Sequence, residues 1–234
     1  MSEHLQLSDI PKFCAAVKTW LQGRYASTEV EMIWQATSRQ YEQYLTELPD
    51  YGGKKNTHAE GIYGSVLIFS LYPQLPDQPP VEELQEFVQE MFMKGFVRLG
   101  KIFNLNRSTD MWLIDKVFHI VAWKDQREYD RYPATFCNVP EPYDKEHHAT
   151  RYRYMQCPNA EFAKKYGLMH VLPLLCNADY WGIDKLHGTL IRCGNCGNAD
   201  CCDYCIVGSE NPMAKEYKIG KDENGFLVSR KIQK

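Results

Sequence analysis

Cys157, Cys176, Cys193, Cys196, Cys201, Cys202 and Cys205 crowd the last third of the chain, while Cys14 and Cys137 stand apart. Nine thiols cannot all pair within one chain. The first twenty residues hold no apolar leader core, so the expected compartment is reducing and cytoplasmic. Clustered cysteines there serve metal binding or catalysis more often than disulfides. Cys193-x2-Cys196 and Cys202-x2-Cys205 are two paired thiolates, the unit of four-sulfur zinc or iron sites. Five residues separate the pairs, against ~15–20 in a zinc ribbon. On this alternative reading the chain is a non-catalytic metal- or small-ligand-binding sensor. A redox pair at the vicinal Cys201-Cys202 would bridge only with strain.

The other reading of the thiols is catalytic, because a thiolate is a strong nucleophile once a neighbour lowers its pKa. Asp179 lies one helical turn beyond Cys176, and Asp203 follows Cys202. A carboxylate raises a neighbouring thiol's pKa, so these acids suit other work: orienting water, accepting a proton, or holding a cationic amidinium. Against this stands the plain alternative that Cys157 and Cys176 fill an apolar core. His187, between a helix and a strand, suits a general base or a cation at a helix end. Arg153 and Arg192 lie on expected strands, where a guanidinium could clamp a small carboxylate or face solvent. His4, His58, His119 and His170 show no partner pattern.

These groups must be positioned by two differently patterned halves. Helical periodicity covers Ile10 to Leu21, a stripe from Val30 to Leu48, an apolar stretch over residues 58 to 72, Leu84 to Phe103, and Trp112 to Trp123. Beyond Arg131 the pattern changes. Strands are expected over Ala134–Val139, Thr150–Cys157, Thr189–Cys193 and Cys202–Val207, helices over Asn159–Tyr166 and Leu172–Leu186, and a last hairpin about Asn224-Gly225. The expected class is α+β: a helical N-terminal region (1–130), then a small mixed domain (131–234) with an antiparallel sheet, two helices and the cysteine-rich site. Lys plus Arg number 27 against 30 Asp plus Glu, a net charge of -3. That balance lacks the footprint of a nucleic-acid binder. The most apolar run, Val66 to Leu71, is far short of the ~20 residues that span a bilayer. A small-molecule substrate, no nucleic acid and no membrane are expected, and homo-oligomerisation is left open.

Cys157-Pro158-Asn159-Ala160-Glu161-Phe162 with Tyr166-Gly167-Leu168 resembles a C-P-x-A-E-F…L-G-L signature. Leu172 to Tyr180 resembles an L-x-P-x-x-C-x-x-D-Y helix; Thr189 to Arg192 and Cys202-Asp203-Tyr204 resemble L-x-R and C-D-F strands. Together these resemble the L-2-amino-thiazoline-4-carboxylic acid hydrolase family, whose C-terminal part is distantly similar to 4-vinyl reductase-type domains. The resemblance implies hydrolysis of a cyclic amidine to a carbamoyl-cysteine, and on the catalytic reading no cofactor is expected. Cys157, Cys176, Asp179, Cys202 and Asp203 are the family-like residues. Cys176 or Cys202 would attack, Asp179 would bind the amidinium and activate water, and Arg192 or Arg153 would hold the carboxylate. The sequence departs from the family pattern at the extra thiols Cys193, Cys196, Cys201 and Cys205.

Overall fold

The computed structural model describes residues 4–233. Two amphipathic helices, α1 (Pro11–Gln22) and α2 (Ser27–Leu45), flank α3 (Ala59–Leu71). Ile62, Tyr63, Val66, Leu67, Ile68 and Phe69 leave α3 apolar all round, so it is enclosed on every side. Gly64 lets α1 approach it, since a Cβ there would meet the Phe13 ring at 2.5 Å. α4 (Gln85–Leu99) and α5 (Ser108–Arg131) follow. The helix expected to reach Phe103 stops at Leu99. Gly100 closes it where the chain passes the end of a later helix, and a Cβ would lie 1.8 Å from the Lys185 carbonyl oxygen.

The second half supplies a four-stranded antiparallel sheet in the order β1-β2-β4-β3, from β1 (Cys137–Pro140), β2 (Thr150–Gln156), β3 (Gly188–Ile191) and β4 (Cys202–Gly208). β1 is shorter than expected. The Gln156 side chain takes the Pro133 and Thr135 carbonyls at 2.6 and 2.9 Å, replacing the ladder there. Between β2 and β3 run α6 (Pro158–Lys165), with Gly167 beyond it at φ 69°, and α7 (Leu172–Asp184). The expected last hairpin is β5 (Tyr217–Lys221) and β6 (Leu227–Lys231), with Gly225 in its turn at φ 86°. β6 is tied to the end of β3, where the Ser229 amide donates to the Arg192 carbonyl at 2.7 Å.

The architecture is α+β, as the patterning predicts. One apolar cluster runs from Leu5, Val17 and Leu67 in the helical half to Leu172, Cys202 and Val228 in the sheet half, so both halves share a core. No helix among the described residues is long and apolar enough to cross a membrane.

Candidate active site

Side chains alternate across a strand, and this parity selects which strand residues face the helices. Tyr154 pairs with Cys202 and Tyr152 with Tyr204 across β2 and β4, putting all four on the inner face. The Tyr152 and Tyr204 rings stack at 4.6 Å, with Tyr154 edge-on to both. α7 crosses above and presents Leu175, Cys176 and Asp179 at helical spacing. A cavity of about 350 Å³ opens between them. Its remaining wall comes from Thr57 and His58 just before α3, Gly61 and Ser65 on that helix, Phe92 and Met93 of α4, and Cys157 and Asn159 at the start of α6. Cys157, Cys176, Asp179 and Cys202 therefore meet in one hollow.

Behind Asp179 lies a fully buried guanidinium. Arg192 Nη1 donates to Asp179 Oδ2 at 2.9 Å and to the Tyr204 oxygen at 3.2 Å, while Nη2 donates to the Cys176 carbonyl at 2.8 Å. The Tyr204 hydroxyl also donates to Asp179 Oδ2, at 2.6 Å. The guanidinium carbon lies 5.0 Å from the Tyr180 ring centre and 5.4 Å from that of Tyr204. Arg192 is thus no carboxylate clamp. Its charge is consumed inside the protein, where a lone buried ion would be intolerable. These contacts converge on Oδ2 and leave Oδ1 of Asp179, whose side chain is 25% exposed. Burial pushes the Asp179 carboxyl up, and Arg192 and Tyr204 oppose that shift.

Burial dominates the cavity thiols as well. Cys176 is raised by it, with Arg192 pulling the other way. Cys157 caps α6, and although the amides of Asn159 and Ala160 draw it down, burial pushes it up to about 12. Cys202 donates its S–H to Cys196 Sγ at 3.4 Å, which raises Cys202 and lowers Cys196 to about 7. The pair carries one proton more easily than two or none. The Cys196 amide also reaches the Cys202 sulfur, at 3.2 Å.

A second charged pair in this wall has no signal in sequence spacing. His58 Nε2 lies 2.5 Å from Asp125 Oδ1, and the other Asp125 oxygen accepts from Asn138 Nδ2 at 2.8 Å. Asp125 is fully buried on the inner face of α5, whereas the His58 side chain is 33% exposed. A buried acid backing a cavity imidazole fixes its orientation. The two lie 67 positions apart, so no local pattern joins them.

Other expected site residues lie elsewhere. Asp203, on the outer face of β4, accepts the Cys193 and Gly194 amides at 3.2 and 2.7 Å and so holds the loop. Arg153 also faces outward and pairs with Glu141 at 2.9 Å. His187 sits at φ 59° with its ring 3.3 Å from the Gly100 carbonyl oxygen, outside the cavity wall. The four sulfurs of the metal reading do not converge. Cys202 and Cys205 are three apart on one strand and so face opposite ways; Cys205 packs on Met213, and Cys193 is exposed. Among the described residues no group of three or more His, Cys, Asp or Glu side chains is placed to hold a metal ion.

The site thus combines a planar acid anchored from behind, neutral thiols and an imidazole with its own carboxylate. That set suits binding a flat cation and adding a nucleophile to its carbon. No curated protein and no solved structure matches the chain significantly. The family model for L-2-amino-thiazoline-4-carboxylic acid hydrolase matches residues 61–206, which include α7, β1 to β3 and most of β4. The chain belongs to this hydrolase family.

Proposed function

We propose that the chain opens a small cyclic amidine carrying a carboxylate, of the 2-aminothiazoline-4-carboxylate type, by adding water. The observation that carries this reading is Asp179, held on one oxygen by Arg192 and Tyr204 with its other oxygen left for the cavity. A protonated amidine offers N–H donors in a plane and a positive carbon between them, which a carboxylate pairs with directly. Among the described residues no arginine lines the cavity. The substrate carboxylate is assigned instead to the start of α3, where Thr57 and the helix N-terminus favour an anion.

Cys157 is the attacking sulfur in this scheme, because the amides at the start of α6 stabilise negative charge as it develops there. His58 takes the thiol proton, with Asp125 steadying the imidazolium, and the sulfur adds to the amidinium carbon. The His58 proton then goes to the ring nitrogen as the ring C–N bond breaks. Water, deprotonated by the same imidazole, adds to the enzyme-bound carbon and expels Cys157, leaving a carbamoyl-cysteine. The net reaction consumes one water.

The test is incubation of the purified chain with 2-aminothiazoline-4-carboxylate, followed by mass spectrometry for a product heavier by one water. Turnover lost in Asp179→Asn and in Cys176→Ala is expected, the first through the anchor and the second through the cavity wall. Absence of turnover with this and related carboxylated cyclic amidines refutes the reading. Full activity in Cys157→Ala makes water the direct nucleophile.

A further inference from the structure

We infer that the outer face of α5 is the contact between two copies of this chain, packed antiparallel about a twofold axis. Trp112, Leu113, Val117, Ile120 and Trp123 lie along one stripe of this helix and are 50, 43, 47, 56 and 58% exposed. The opposite face is spent inside the fold, with Met111, Ile114, Asp115, Ala122 and Asp125 buried. An apolar patch of this size ranks with the largest on a typical monomer, and such patches are often functional. Large side chains of ~150–250 Å² at those exposures present roughly 500 Å² of apolar surface. With the stems of Lys116, Lys124 and Arg127 beside it, the face approaches the ~800 Å² per partner of a standard interface.

Charge favours one direction. α5 has Arg107 and Asp110 at its start, Asp110 also accepting the Asn104 amide at 2.9 Å, and Lys124, Arg127, Glu128, Asp130 and Arg131 at its end. A parallel twofold pair would set every charge against its own copy, whereas an antiparallel pair sets opposite charges together. With the axis between Val117 and Ile120, residue pairs across it sum to one value. Arg127 then meets Asp110 of the second copy, and Asp130 meets its Arg107. The helix dipoles also oppose, and the contact is closed, as a twofold requires. Lys116 over its own Trp112 ring at 5.7 Å and Arg127 over Trp123 at 4.8 Å keep both indoles turned to the face.

Sedimentation velocity over a concentration series of the full chain tests this. A wild-type dimer is expected, with Ile120→Glu and Trp123→Glu each weakening it by about 30-fold or more, as central contact residues do. Met32→Glu, at a 65% exposed apolar position on α2, leaves the dimer intact. Arg127→Asp weakens it, and adding Asp110→Arg to the same chain restores it; circular dichroism confirms that each variant is folded. A wild-type monomer at every concentration overturns the proposal, as does a dimer that Ile120→Glu leaves unchanged. Failure of the charge swap to restore association overturns the antiparallel register. A monomer that sediments with vesicles of anionic lipid assigns the stripe to a membrane surface instead, and overturns it too.

Discussion

Replacing Arg192 by Met keeps most of the side chain's length and removes its charge and donors. The wild-type guanidinium is fully buried and makes three side-chain donations, to Asp179, Tyr204 and the Cys176 carbonyl. Removing one partner of such a pair leaves a carboxylate with no compensating charge, at a cost of about 3–5 kcal/mol. For a chain of 234 residues each kcal/mol shifts Tm by roughly 2–4 °C, so a fall of about 6–20 °C is expected. Asp179, already raised by burial, rises further without Arg192. A carboxyl held above its unfolded value binds its proton more tightly in the folded chain. Its cost therefore appears as pH rises through that window and fades on acidification. The Arg192→Met deficit should accordingly be largest near neutrality and shrink towards acid. Urea unfolding of wild type, Arg192→Met, Asp179→Asn and the double variant supplies the assay. The double variant should be more stable than the two single losses add up to, because neither charge is left alone. A deficit under about 1 kcal/mol, or strict additivity, would refute the buried pair as the anchor of the site.

The remaining expectations concern separate parts of the molecule. Cys202→Ala removes the donor that lowers Cys196, so the thiolate absorbance, expected near about 7 in the wild type, should move up. Because Cys196 is depressed in the fold, its contribution to stability is present above that ordinary value and lost as pH falls through about 7; Cys196→Ala should flatten this slope in urea titrations. Gly100→Ala forces a methyl against the Lys185 carbonyl oxygen and should cost about 1–3 kcal/mol in thermal unfolding, with activity falling as α7 shifts. His58→Ala should lower kcat by about 10²–10⁴-fold, whereas His187→Asn should change neither activity nor stability by more than about 0.5 kcal/mol. An unchanged kcat in His58→Ala would take the imidazole out of the reaction.

What the sequence discloses follows the reach of each signal. Local periodicity, a capping proline and Gly167 place α6 and α7 within a few residues, and period-two alternation puts Tyr152 and Tyr154 on the face opposite Arg151 and Arg153. The same alternation argues against a four-sulfur site, since Cys202 and Cys205 differ by an odd number of positions. Read without strand parity, their spacing looks like a zinc knuckle. Arg192 was open to two readings, clamp or solvated arginine, and is neither. Nothing local reveals that a residue just past a strand end is enclosed by Tyr180, Tyr204 and Asp179. His58 and Asp125 depend on α3 and α5 meeting around the sheet, a contact that only tertiary packing creates. The stripe on α5 is visible as spacing, yet which side of it is core emerges only once Asp115 and Thr150 are seen joined at 2.8 Å.

The cavity draws His58 from one half of the polypeptide and Cys157, Asp179 and Tyr204 from the other, with Asp125 reaching across from α5. Severing the chain after Arg131 and expressing the pieces together is thus a complementation experiment. Neither fragment alone encloses a reaction chamber, and catalysis should return only with reassembly. Both halves contribute to the lining of the cavity, so a fragment holding one half alone carries only part of its wall.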